Sequence, residues 1–115
     1  MYVEERMYQL YPGKVDEYFT HYQSHGMSVQ QKYLPHMLGY YQTEIGPQNM
    51  VVHLWAYESL DQRAACREKL FADPDWQSYR PKIQPLILRM DTRIMKCAPF
   101  FLERLKRMLA ADGAG

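Results

Sequence analysis

Three side chains on one apolar strand carry the plainest chemistry in this sequence. Within Met50 to Tyr57, His53, Trp55 and Tyr57 alternate and share a face, because successive strand side chains point to opposite sides. An imidazole gives and takes a proton near neutral pH. An indole offers a flat apolar wall, and a phenol donates a hydrogen bond. Arg89, Asp91 and Arg93 alternate in the same way further on and can set charge beside that face. On this reading His53 is the proton carrier, Tyr57 donates to a ligand oxygen, and Arg89 holds a developing anion. Trp55 is the ligand-binding wall. The competing reading has the aromatics filling an interface, where such residues are enriched, and the arginines paired with Asp or Glu.

The remaining reactive residues point to simpler roles. His21 and His25 stand four apart on a helical stretch, a spacing that can hold a metal ion. Only Asp16 and Glu17 lie near them, so an outward-facing pair is expected and no metal site is assigned. Cys66 has Arg63 and Arg67 for neighbours. These lower a thiol's pKa where the side chains converge, but a cysteine inside a helix is more often a small packed hydrophobe. The chain has no Gly-x-Ser-x-Gly, P-loop, dinucleotide fingerprint or His-Glu-x-x-His, the patterns that mark common catalytic and cofactor sites. No cofactor is expected.

The elements that must position these residues follow from periodicity. Tyr2 to Leu10 reads as a strand ended by Tyr11-Pro12-Gly13, a turn signal. Val15, Tyr18, Phe19 and Tyr22 recur at helical spacing. Gly26 interrupts or ends that helix, and Leu34-Pro35 stops any continuation. Met37 to Ile45 and Met50 to Tyr57 read as strands joined through Gly46-Pro47-Gln48-Asn49, an antiparallel hairpin. Ser59 with Gln62 forms a capping box for a helix ending near Ala72. Asp73-Pro74 then starts a short helix limited by Pro81 and Pro85. Leu86 to Lys96 is the fourth strand, with Leu88, Met90 and Ile94 on one side. The order β-α-β-β-α-β is that of an α+β, ferredoxin-like subunit, with both helical layers on one face of an antiparallel sheet.

Composition narrows the function classes. At 115 residues the chain is one domain. A net charge of +1 argues against nucleic acid, which attracts strongly basic faces. The opening residues read as a strand rather than a signal peptide, and no run of about 18 apolar residues exists to span a membrane. Two cysteines suit a reducing compartment, so a cytoplasmic location is expected. Ten tyrosines, eight methionines and two tryptophans suit an adaptable apolar cavity or an oligomer interface.

The strand from Met50 to Tyr57 is apolar on both sides. Met50, Val52, Leu54 and Ala56 lie on one, Val51, His53, Trp55 and Tyr57 on the other. Helices cover only one face of such a sheet. The aromatic face is therefore expected to meet a second copy of itself in a two-fold homodimer. Residues 101–115 form a tail whose Phe101, Leu102, Leu105, Met108 and Leu109 make an apolar stripe wide enough to need cover. Three cations partly offset by Glu103, with no boundary Trp, favour packing on protein over lying on a membrane.

Glu44-Ile45-Gly46-Pro47-Gln48-Asn49, followed by Val51-Val52-His53-Leu54-Trp55-Ala56-Tyr57-Glu58-Ser59-Leu60, resembles the signature of the NIPSNAP family. Tyr8-x-Leu10-x-Pro12-Gly13-Lys14, Leu38-Gly39-Tyr40, Asp73-Pro74-Asp75-Trp76 and Pro81-x-Ile83-x-Pro85-Leu86 are similar to it in the same order. The resemblance covers residues 1–100 and is closest in kind to the short bacterial members; the tail has no counterpart in it. It implies a dimeric α+β barrel, ferredoxin-like subunits paired sheet to sheet. Related barrels include cofactor-independent monooxygenases and isomerases, in which Trp, Tyr, His, Asn or Arg surround a flat substrate. The expected function is therefore binding of a small apolar or aromatic molecule, with such chemistry. The alternative is a non-catalytic interaction or assembly module. Related haem-binding barrels need an axial histidine, for which His53 and His36 are nominal candidates, and haem is not expected here.

Overall fold

The computed structural model describes residues 1–114, with side chains through Ala111; Gly115, the last residue of the expected tail, lies outside the described residues. Four strands, β1 (Tyr2–Leu10), β2 (Met37–Gln42), β3 (Met50–Tyr57) and β4 (Ile87–Lys96), form one antiparallel sheet in the order β2-β3-β1-β4. Helices α1 (Val15–His21) and α2 (Met27–Tyr33) connect β1 to β2, and α3 (Leu60–Ala72) and α4 (Pro74–Ile83) connect β3 to β4. This is the β-α-β-β-α-β order of the ferredoxin-like subunit. A last helix, α5 (Leu102–Ala114), follows β4.

Local chemistry sets the boundaries. Ser59 Oγ accepts from the Gln62 backbone N–H at 3.0 Å, and Gln62 Oε1 accepts from the Glu58 N–H at 2.7 Å, which satisfies donors orphaned at the start of α3. Asp73 caps α4 through the Asp75 N–H at 2.8 Å, and its other oxygen accepts from Tyr33 Oη at 2.7 Å, tying α4 to α2. Pro81 sits inside α4 instead of ending it, and Pro85 lies in the 3₁₀ turn that closes the segment. The second strand stops at Gln42, three residues short of the expected Ile45. Ile45 is 93% exposed, so no burial holds it in the sheet, and the chain instead turns through Gly46 and Asn49 at positive φ, which those residue types tolerate.

The sheet register assigns the faces. Glu4, Arg6 and Tyr8 of β1 stand opposite Trp55, His53 and Val51 of β3, and Tyr40 of β2 stands opposite His53. Tyr18, Tyr22, Val29, Leu70, Trp76 and Tyr79 of the helices pack onto this face in one buried cluster. The helix layer therefore covers Val51, His53, Trp55 and Tyr57, the face expected to meet a second copy. Alternation in β3 could not distinguish its two apolar faces; the aromatic residues on the helices decide the matter by packing ring against ring. The opposite face carries Val3, Met7, Met50, Val52 and Leu54. Across one end of it lies α5, whose Leu105 and Leu109 pack on Ala56 with Met1, Val3, Leu38 and Cys97 around them.

Between α1 and α2 the helix widens into a π turn, Tyr22–Gly26. At Gly26, where the sequence signals an interruption, a Cβ would stand 2.7 Å from the Tyr79 ring. The glycine thus admits a tyrosine from α4 against the helix backbone. Gly26→Ala is expected to force Tyr79 out of place and cost about 1–3 kcal/mol of stability, the usual range for overpacking. Urea denaturation of the variant checks this, and an unchanged midpoint would show that the ring has room to move.

Candidate functional site

The site is built on a buried carboxylate. Glu4, fully buried on β1, accepts from Arg63 Nε of α3 at 2.7 Å, from Arg63 Nη2 at 3.2 Å and from Arg6 Nη1 at 2.7 Å. Burial opposes the charged carboxyl, but the bonds from Arg63 and Arg6 outweigh it and hold its pKa below the ordinary value. Arg6 in turn donates through Nε to Tyr8 Oη at 3.0 Å. A cation is thereby fixed on the sheet surface beneath the helices, directly across from His53.

Above it is a cavity of about 90 Å³ between the sheet and the helices. The sheet contributes Arg6, Tyr8, Tyr40 and His53, and the helices contribute Tyr18, Tyr22, Gln30, Arg67, Trp76 and Tyr79 among others. Tyr40 stacks on the His53 imidazole with centroids 4.5 Å apart and planes 11° from parallel. Tyr8 meets the same ring edge-on at 4.9 Å. Trp55 Nε1 donates to His53 Nδ1 at 2.7 Å. That bond leaves Nδ1 without hydrogen, so the neutral ring carries its proton on Nε2. Burial, with the Arg6 charge added, depresses the His53 pKa from 6.5 to about 3.

Three buried donors on cavity-lining residues have no hydrogen-bond partner: His53 Nε2, Trp76 Nε1 and Tyr79 Oη. An orphaned buried donor costs roughly 1–3 kcal/mol, so three around one cavity mark a place where a guest's acceptors would restore what folding lost. Grooves beside α5 are larger. One of about 580 Å³, lined by Met1, His36, Glu58, Leu102, Lys106 and Leu109 among others, has no buried unpartnered polar atom among the described residues of its lining. Chemistry, not volume, selects the site.

The structure rearranges the residues that the sequence grouped. His53 lines the cavity but is neutral, which replaces the role of a proton carrier near its ordinary pKa with that of a donor. Trp55 does not line the cavity; it fixes the imidazole's tautomer. Tyr57, two pleats further along β3, has a buried and unpartnered hydroxyl away from the cavity lining, its pKa pushed up to about 12 by burial and the Glu4 charge. Arg89 is corrected outright. It pairs with Gln9 while Met90 pairs with Tyr8, so the pleat sends Arg89 to the open face with Asp91, to which it is bonded at 3.0 Å. Arg93 likewise pairs with Glu5. His21 and His25 stand 6.4 Å apart by ring centroid, and no cluster of three metal-ligating residues occurs among the described residues. Cys66 packs against the core, while the neighbouring Arg63 binds Glu4.

Sequence reasoning missed Arg6, Tyr8, Tyr18, Tyr40, Arg67 and Tyr79. The usable signal was the alternation of Glu4, Arg6 and Tyr8 on one face of β1. The depressed His53 pKa makes stability depend on pH. Unfolded, the imidazole takes up a proton below about pH 6.5, whereas in the fold it resists down to about 3. Stability is therefore complete above about 6.5 and declines as pH falls toward 3, at up to about 1.4 kcal/mol per pH unit from this residue. His53→Gln should flatten the decline between pH 6.5 and 4.5 in denaturation curves. Loss of Glu4's contribution adds to it only below the ordinary carboxylate range.

The comparisons fit this architecture. Residues 3–101 match the NIPSNAP family model. NipSnap homolog 1 of Danio rerio and NipSnap homolog 2 of Homo sapiens are each 34% identical over 92 residues, covering 80% of this chain and 32% of the relative. The chain thus spans about a third of the length of these relatives. A NIPSNAP family protein of unknown function from Agrobacterium tumefaciens superposes with a TM-score of 0.84 at 43% identity, over 87% of this chain and 90% of that one. An uncharacterized NIPSNAP-like domain protein from Burkholderia xenovorans gives 0.82 at 45% identity, over 86% of each. A putative antibiotic biosynthesis monooxygenase from Nitrosomonas europaea gives 0.61 at 17% identity, over 84% of this chain and 98% of that one, a likeness of fold alone. No helix among the described residues is long and apolar enough to cross a membrane. By its matched residues and its shared fold, the chain belongs to the NIPSNAP family.

Proposed function

We propose that this domain binds a small planar apolar or aromatic molecule in the cavity between sheet and helices. The observation that carries the reading is the set of unpartnered buried donors of His53, Trp76 and Tyr79 around one cavity. Ligand sites are apolar clefts with a few convergent polar groups, and here rings supply the walls while these donors supply the polarity. The volume of about 90 Å³ is below the 300–1,000 Å³ of drug-sized sites, so the guest is of the order of one substituted ring. A neutral imidazole donating through Nε2 can polarise a carbonyl oxygen. That suits isomerase or cofactor-independent monooxygenase chemistry, the latter suggested only by the fold of the monooxygenase neighbours. Two free cysteines suit a cytoplasmic setting.

The second reading, a module for assembly, rests on the open sheet face, where Met7, Met50, Val52 and Leu54 are only half-buried. We propose that a second copy covers this face in a homodimer, which is compatible with a ligand site on the other side of the sheet. Sedimentation should then report about 27 kDa, twice the 13.7 kDa chain, and Val52→Lys should shift it to monomer through an unpaired buried charge. A stable monomer in the unaltered chain removes the dimer.

The ligand reading is tested by screening single-ring fragments by NMR against the full chain. Binders should move the Trp76 indole and His53 imidazole signals, and His53→Gln should weaken them about ten-fold, one hydrogen bond's worth, without altering the oligomer. Fragments that move only residues of the open face would favour the assembly module.

A further inference from the structure

The hydrogen-bond inventory of the cavity is lopsided. Tyr8 Oη already accepts from Arg6, so its own proton is available. Tyr18 and Tyr40 share one hydrogen bond at 2.7 Å, which uses one of their two hydroxyl protons and leaves the other. Tyr79, Trp76 and His53 each hold a donor with no partner. Of the two lining amides, Gln30 Oε1 is taken by Tyr22 Oη at 2.6 Å, and Gln84 is an exposed residue at the rim. Among the described residues, no Asp or Glu lines the cavity.

Charge is equally one-sided. Arg6, Arg67 and Arg80 all line the cavity. Arg6 is neutralised by Glu4, whose remaining bonds go to Arg63. Arg67 and Arg80 have no carboxylate partner among the described residues; both instead stand against the Phe71 ring, with guanidinium carbons 5.1 and 4.8 Å from its centroid. Phe71 itself lines the cavity, so the half-buried Arg67 and the exposed Arg80 stand at its rim against one lining ring. Burial and the nearby Arg6 lower the Arg67 pKa, the mark of a positive charge without its counterion.

We propose that the ligand of this cavity is a planar carboxylate, its ring among the tyrosines and its charged oxygens on Arg67 and Arg80. Guanidinium groups bind carboxylates by paired, charge-assisted hydrogen bonds, and a donor-rich wall accepts a molecule that brings acceptors and no protons of its own. The proposal rests on the cavity being a binding site at all, and it adds the chemical class.

Benzoate, its neutral isostere benzamide and the non-planar anion cyclohexanecarboxylate separate these points. In calorimetry and NMR on the full chain, benzoate should bind at least ten-fold more tightly than either of the others and should move the Trp76 and His53 side-chain signals. In the Arg67→Met/Arg80→Met variant, checked for an unchanged circular dichroism spectrum, the preference over benzamide should fall below three-fold. Benzamide binding as well as benzoate, with the same signals moved, would overturn the anionic class and leave the cavity reading standing. A preference for benzoate that survives in the double variant would overturn the assignment to Arg67 and Arg80. If none of the three moves Trp76 or His53, the cavity reading falls, and the proposal with it.

Discussion

The Glu4 carboxylate, buried between two guanidinium groups, is the interaction on which the interior of this domain depends. It sits on β1, a central strand, and is reached by Arg6 from the same strand and by Arg63 from α3. Moving ions out of water costs several kcal/mol each after relaxation. That cost is met only because both carboxylate oxygens are bonded, at 2.7–3.2 Å. The arrangement is asymmetric: one anion serves two cations. Both arginines are half-buried, and removing Glu4 would leave two partly desolvated cations side by side without their shared counterion.

Burial, with the Arg6 charge added at His53, sets the protonation of the rest of the cavity. Arg6 lies across from His53, so a protonated imidazole would meet both a dry environment and a like charge. His53 stays neutral, and the Trp55 bond decides which nitrogen bears the hydrogen. The tyrosines respond to the same dryness. Burial raises the pKa values of Tyr18, Tyr22, Tyr40 and Tyr79, and their hydroxyls, protonated at neutral pH in any case, are donors. Gly26 lets Tyr79 close over them from α4.

The fold was legible because its signals are local: the strand alternation, the capping box at Ser59, the Asp73-Pro74 start and the Gly26 break each mark an element or its edge. The site was only half legible. His53 was visible as a polar residue on an apolar strand. Its neighbours were hidden, because Glu4 and Arg6 on a strand read as solvated charges until a second arginine 59 residues away is known to reach the same carboxylate. Arg89 misled for the complementary reason. Period-two alternation places residues on faces within a strand, but only the register Gln9 to Arg89 relates the faces of different strands, and a shift of one residue reverses the answer. The NIPSNAP resemblance, read over residues 1–100 and matched by the family model over 3–101, carried the architecture and left the reaction open.

The same inventory limits what chemistry the cavity can perform. A general base needs a free lone pair on a group whose pKa lies near the working pH. His53 has Nδ1 occupied by Trp55 and a pKa of about 3, Glu4 is locked by arginines, and the tyrosines are protonated. Among the described residues, nothing lining the cavity is set to remove a proton. What the residues can do is hold negative charge on oxygen, through neutral donors and guanidinium groups in a dry site, where such stabilisation is strongest. A reaction here would accordingly begin from a substrate that is itself acidic enough to arrive ionised, with the protein steadying the anion rather than creating it. A domain limited to binding needs nothing more than the same donors.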